Sequence, residues 1–60
     1  MITKQAVIIE LSELAKLGMR FASLALRKVE AGRYDGLISG AVDMSVSDLA
    51  DLIIETEAVI

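Results

Sequence analysis

The sequence predicts an all-α fold assembled as a helical dimer or higher oligomer, and three observations support this prediction. Proline is absent and the first glycine is Gly18, so a long N-terminal helix can form. Hydrophobic residues make up 55% of the 60 residues, which is more than a core of this size can cover. Cysteine and histidine are absent, so neither a disulfide nor a typical zinc site can stabilise the chain. Association between copies remains as the means of burying the excess.

The first predicted element is one long helix over residues 3–31, with Thr3 as its N-cap and Gly32 as the left-handed residue after its end. Its apolar side chains cover more than half of the circumference, whereas a surface helix usually buries a stripe of about 100°. Small residues occupy the middle of this face, which predicts a close-packed seam with a second copy. The predicted oligomer interface comprises Leu11, Leu14, Ala15, Gly18, Phe21, Ala22, Ala25 and Val29.

The alternative is that Gly18 breaks this helix into two shorter ones. The stretch "ELAKLGMRFASLALRKVEAGR", residues 13–33, has a Leu-Ala pair, then a glycine followed by an apolar residue, then a second helix. It resembles a helix-turn-helix DNA reader, although Gly18 follows Ala15 by three positions where such motifs have four. The resemblance implies that the following residues would face the major groove and phosphates: Arg20, Ser23, Arg27 and Lys28. The net charge of −3 opposes attraction to phosphates, so nucleic acid is not the expected partner.

Residues 32–45 form the predicted glycine-rich connector. Gly32 and Gly36 are expected to supply positive φ angles, and residues 37–42, "LISGAV", are compatible with a short helix. Arg33 and Tyr34 are adjacent and predicted to be exposed, and both residue types are enriched where binding energy is concentrated. We therefore predict a partner contact there, the alternative being a tyrosine packed over the helix ends beside a solvated arginine.

The last predicted element is a short helix over residues 46–58, which Ser45 caps. Asp48, Asp51 and Glu55 form an acidic edge on it, which we predict to face a partner. A straight helical row supplies few of the oxygen ligands that a divalent cation requires, so no metal site is predicted.

Charge divides the chain into two halves. All six basic residues lie within the first 33 positions beside three acidic residues, and the other six acidic residues lie from Tyr34 onward. This asymmetry favours contact between a basic first half and an acidic second half, and it disfavours contact between like halves.

These features predict a small non-enzymatic protein that binds itself and another protein, as an inhibitor, adaptor or regulator of the kind that phages and plasmids use. No cofactor is expected, and catalysis is disfavoured because histidine and cysteine are absent and two helices enclose no pocket. The alternatives are a helix-turn-helix regulator and an oligomer that sequesters a small ligand between its subunits. The most apolar window, residues 6–26, contains four charged residues, and no secretory leader is recognisable. We therefore expect a cytoplasmic protein without a membrane span.

Overall fold

The computed structural model describes residues 2–59, and within this range all regular structure is helical. The helices are α1 (Lys4–Lys16), α2 (Ala22–Glu30), α3 (Asp35–Gly40) and α4 (Val46–Ala58). Helix α1 contacts both α2 and α4, and α2 also contacts α4. The predicted all-α class is confirmed, as is the predicted helix over residues 46–58.

The predicted continuous helix over residues 3–31 is wrong, because α1 ends at Lys16 and α2 begins only at Ala22. Gly18 has a φ of +84°, in the left-handed region, which a continuing α-helix does not allow. The Gly18 amide donates to the Ala15 carbonyl at 3.1 Å, and the Met19 amide donates to the Leu14 carbonyl at 3.0 Å. These bonds form a Schellman motif, which satisfies the last carbonyls of α1. The alternative of a break at Gly18 is confirmed.

Phe21 starts the second helix in an unusual conformation. Its φ is 68°, in the left-handed region, and no side chain caps this end of α2. Such a backbone costs a non-glycine residue roughly 1–2 kcal/mol. The half-buried Phe21 ring packs against the core, and the Arg20 guanidinium lies 5.5 Å from the ring centroid. These contacts offset part of the strain.

Helix α2 ends in the same way as α1. Gly32 has a φ of +86°, its amide donates to the Val29 carbonyl at 3.0 Å, and the Arg33 amide donates to the Lys28 carbonyl at 3.1 Å. The predicted left-handed residue at 32 is thus confirmed. The expected positive φ at Gly36 is wrong, because α3 begins at Asp35 and includes this glycine. The short helix predicted within the connector is present, two residues earlier than expected.

Both predicted N-caps are confirmed. The Thr3 hydroxyl accepts a hydrogen bond from the Ala6 amide at 3.1 Å, and the Ser45 hydroxyl accepts one from the Asp48 amide at 3.1 Å. Each bond satisfies one of the backbone donors that a helix start leaves unpaired. The polar residue before α1 and the one before α4 therefore mark where these two helices begin.

The core lies between α1, α2 and α4 and is closed by α3. Its members recur at the spacing of three or four residues that places side chains on one helix face. The buried residues are Val7, Leu11, Ala22, Ala25, Val29, Ile38, Ala41, Leu49, Ala50, Ile53 and Ile54. No polar or charged side chain is buried in the part of the chain that the structure describes. The interior is therefore held by apolar packing.

Candidate protein-binding surfaces

The structure brings most of the predicted interface residues together, but it places them inside the chain. Leu11, Ala22, Ala25 and Val29 are fully buried in the intramolecular core, so a second copy cannot contact them in this fold. The physical reason is the break at Gly18, since it lets α2 fold back on α1 and cover the apolar face that a continuous helix would have left for a partner. The assignment of these four residues to a subunit interface is therefore wrong.

The remaining predicted interface residues lie at the edge of the core or outside it. Leu14, Ala15 and Phe21 are half-buried and pack against the core of their own chain. Gly18 is exposed, and a Cβ added there would meet no heavy atom within 4 Å. Within the described chain no other helix packs closely on Gly18, because this glycine ends α1 and faces solvent.

Arg33 and Tyr34 separate in the structure. Arg33 is exposed, whereas Tyr34 is half-buried and donates its hydroxyl to the Glu57 carboxylate of α4. Burial, that hydrogen bond and the negative charge of Glu57 together raise the pKa of Tyr34 to about 12, while Arg33 acts weakly in the opposite direction. Tyr34 therefore joins the start of α3 to the end of α4, and this arrangement matches the alternative of a tyrosine packed over the helix ends.

The predicted acidic edge lies on the outside of α4. Asp48, Asp51 and Glu55 are all exposed, because the opposite face of this helix supplies four core residues. Leu52 is exposed on the same side. We call Asp48, Asp51, Leu52 and Glu55 the α4 stripe. Three carboxylates around one leucine suit a cationic partner that also has an apolar side chain.

A second exposed surface lies where α1 meets α2. Lys16, Leu17, Met19 and Arg20 are exposed in succession around the Gly18 turn, and Leu17 is 82% exposed. We call these four side chains the turn surface. It presents two apolar side chains between two cations, and the sequence-based prediction missed it because it placed a continuous helix there. The signal was the "KLGM" segment, in which a lysine and an apolar residue before a glycine are typical of a helix end.

An apolar groove borders α3. It has a volume of about 400 Å³ and its apolar lining is Ile2, Ile38 and Val42. An ion pair between Lys4 and Asp35, 3.3 Å apart, lies at its edge and is the one ion pair found within residues 2–59. A second groove of about 320 Å³ lies beside Val42. The segment "LISGAV", residues 37–42 of the connector, indicates such a surface in the sequence, since three of its residues are large and apolar.

The residues of the helix-turn-helix resemblance lie mainly on the surface. Arg20, Ser23 and Arg27 are exposed, and Lys28 is half-buried. None of the three basic side chains forms an ion pair with a carboxylate of the described chain. The basic residues therefore lie at the two ends of α2, with Arg20 just before it and Arg27 and Lys28 in its last turn.

Comparison with known proteins yields no match to a family model, to a curated protein or to a solved structure. No described helix has the length and apolar character needed to cross a membrane. Among residues 2–59, no cluster of three or more acidic side chains is arranged to hold a metal ion. Any assignment of function therefore depends on the surfaces of this chain.

Proposed function

We propose that this chain is a small non-enzymatic helical protein that associates with itself and acts by binding another protein, as an inhibitor, adaptor or regulator. One observation carries the proposal. Eleven apolar residues of the described chain form the core, yet Leu17, Val42 and Val59 are 82%, 81% and 80% exposed. Leu17 lies near the exposed Met19, and Val42 lines a groove with Ile2 and Ile38. Exposed apolar surface that is shared by several side chains is typical of protein-binding sites.

The grooves beside Val42 are the proposed site for the other protein. A concave apolar surface accepts an apolar side chain of a partner, and the exposed Lys4–Asp35 ion pair at its edge supplies polar contacts around it. The apolar lining of Ile2, Ile38 and Val42 belongs to two separate parts of the chain. The groove therefore exists only in the folded protein.

The first test is the dependence of mass on concentration, measured by sedimentation equilibrium. We expect the mass of the wild-type protein to rise above that of one chain at micromolar concentration. The triple variant Leu17→Gln, Val42→Gln, Val59→Gln should remain monomeric with an unchanged helical circular dichroism spectrum, because these side chains lie outside the core. The matched control changes three exposed polar residues, Gln5→Ala, Ser23→Ala and Ser47→Ala, and should associate like wild type. A wild-type protein that stays monomeric at every concentration would overturn self-association.

The second test addresses the other protein. Wild type, the triple variant and the control are immobilised in parallel and exposed to lysate of the source organism. A specific partner is retained by wild type and by the control but not by the variant. If all three retain the same proteins, the proposed binding through these apolar side chains is wrong.

A DNA-binding function is the second candidate, because the break at Gly18 creates the two-helix arrangement that the resemblance requires. Its test is fluorescence anisotropy with duplex DNA over a range of salt concentrations. Binding through α2 should weaken with salt, and Arg27→Ala should reduce the salt dependence by about one unit of slope. Glu30→Ala, on the same helix, should leave binding unchanged or strengthen it. An absence of binding at low salt would exclude this candidate.

A further inference from the structure

Opposite charges occupy separate parts of the fold. Residues 16–33 contain five basic residues and one acidic residue, whereas residues 43–59 contain five acidic residues and no basic one. The basic residues of the first segment form no ion pair with the acidic residues of the second within the described chain. Lys28 is half-buried and Glu57 accepts the Tyr34 hydroxyl, but the other charged side chains of both sets are exposed and available to another molecule.

The turn surface and the α4 stripe are complementary in two respects. The turn surface places Leu17 and Met19 between the cations of Lys16 and Arg20. It lies at the junction where α1 ends and α2 begins, and its side chains are exposed there. The α4 stripe places Leu52, which is 37% exposed, beside the carboxylates, since Asp48 and Glu55 lie four and three residues from it along the helix. Apolar contact bordered by opposite charges is typical of a protein–protein interface with a polar rim.

From this complementarity we infer that the turn surface of one copy docks on the α4 stripe of a second copy. The inference rests on the proposed self-association and specifies its geometry. Contact between two turn surfaces, or between two α4 stripes, would bring like charges together. The repulsion between these charges opposes both kinds of contact. The contact uses two different surfaces of the chain. An open assembly therefore has an unoccupied turn surface at one end and an unoccupied α4 stripe at the other. When the contact is made once between two copies it is heterologous, and such contacts generate rings or open chains.

The test uses two variants that each remove one half of the contact. Lys16→Gln with Arg20→Gln removes the cations of the turn surface, and Asp51→Asn with Glu55→Gln removes two carboxylates of the stripe. All four side chains are exposed and form no ion pair in the described structure, and Arg20→Gln gives up only the exposed contact with the Phe21 ring, so both variants should fold. Sedimentation equilibrium should show that each variant alone associates about tenfold more weakly than wild type.

Mixing the variants in equal amounts gives the decisive measurement. Each variant retains the half that the other lacks, so the mixture should form a dimer with wild-type affinity that does not grow further with concentration. A chain carrying all four substitutions should not restore association when it is mixed with either variant. Raising the ionic strength should weaken the wild-type assembly and the mixed dimer alike.

Two control variants change the net charge equally but leave both surfaces intact. Arg27→Gln with Arg33→Gln matches the turn variant, and Glu30→Gln with Asp43→Asn matches the stripe variant; all four residues are exposed. Both controls should associate like wild type.

The outcomes separate this inference from the proposed function. A wild-type protein that never associates overturns both the self-association and the inference. If wild type associates but the turn and stripe variants do so equally well, or if mixing restores nothing, only the inferred geometry is wrong. A turn variant that loses duplex DNA binding while all variants remain as monomeric as wild type would assign the turn surface to nucleic acid and overturn the inference.

Discussion

Two glycines of this chain have opposite roles, although both have open space where a side chain would lie. A Cβ at Gly18 or at Gly36 would meet no heavy atom within 4 Å. Gly18 has a positive φ and ends α1, whereas Gly36 lies within α3 with an ordinary backbone. Backbone conformation alone therefore distinguishes the effect of an added methyl group at the two positions.

Gly18→Ala should destabilise the protein by about 1–2 kcal/mol, because alanine resists the left-handed region. Gly36→Ala is the matched control, and it should stabilise the protein by up to about 1 kcal/mol because alanine favours a helix. Urea unfolding followed by circular dichroism measures both changes. Equal effects of the two substitutions would contradict the role assigned to Gly18.

Tyr34 is the second residue whose behaviour follows from its surroundings, and it is the one tyrosine of the chain. Its pKa is raised to about 12, first by burial and then by the bond to Glu57. The folded state holds the proton more tightly than the unfolded state, whose tyrosine has a pKa of about 10. The raised pKa of Tyr34 therefore stabilises the folded state fully below about pH 10. This stabilisation is lost as the pH rises from about 10 to 12.

Titration of the phenolate absorbance should give a midpoint near pH 12 for the folded protein. Glu57→Gln should lower that midpoint, since it removes the negative charge, and burial should still keep it above the ordinary value of about 10. Glu55→Gln removes a carboxylate of the same helix that is not among the groups acting on the pKa of Tyr34, and it serves as the control. A midpoint that does not respond to Glu57→Gln would show that this hydrogen bond is not formed in solution.

At the scale of elements, the helix ends follow short local signals. Thr3 and Ser45 cap α1 and α4 with their hydroxyls, and Gly18 and Gly32 end α1 and α2 with paired backbone bonds. Each signal lies within a few residues of the bond it makes. The start of α2 is the exception, because Phe21 has no capping side chain and depends on packing against the core.

Ser45→Ala should destabilise the protein by about 1 kcal/mol, because the Asp48 amide loses its acceptor. Ser47→Ala is the control, since Ser47 is exposed and makes no side-chain hydrogen bond in the described structure. Thermal unfolding compares the two variants. If both unfold at the same temperature, the Ser45 cap contributes no stability.

At the scale of the whole molecule, the high apolar content is shared between a complete core and an apolar surface. From the sequence we expected the excess to lie at an interface between copies, but the turn at Gly18 lets much of the first helical segment bury its apolar face within the chain. The large apolar side chains that remain exposed lie around the Gly18 turn, in and beside α3, on α4 and just after it, and at Ile9 of α1. These surfaces, rather than the buried face, are the ones on which the proposed association depends.

If the native state self-associates, its stability must depend on concentration. We expect the melting temperature to rise by about 5 °C or more over a roughly hundredfold increase in protein concentration, because association stabilises only the folded chain. The triple variant Leu17→Gln, Val42→Gln, Val59→Gln should melt at one temperature throughout this range. A wild-type melting temperature that is equally constant would argue against association.

The sequence by itself determined the helical class, both N-caps, the left-handed Gly32 and the bounds of α4, because each depends on residue type or on neighbours within one helical turn. Only the tertiary structure decided which apolar residues became core. Leu11 and Leu17 lie on the same predicted apolar arc, yet one is fully buried and the other is 82% exposed. The difference arises because the chain reverses between α1 and α2, and burial depends on which distant segments then meet. Spacing along one helix does not contain that information.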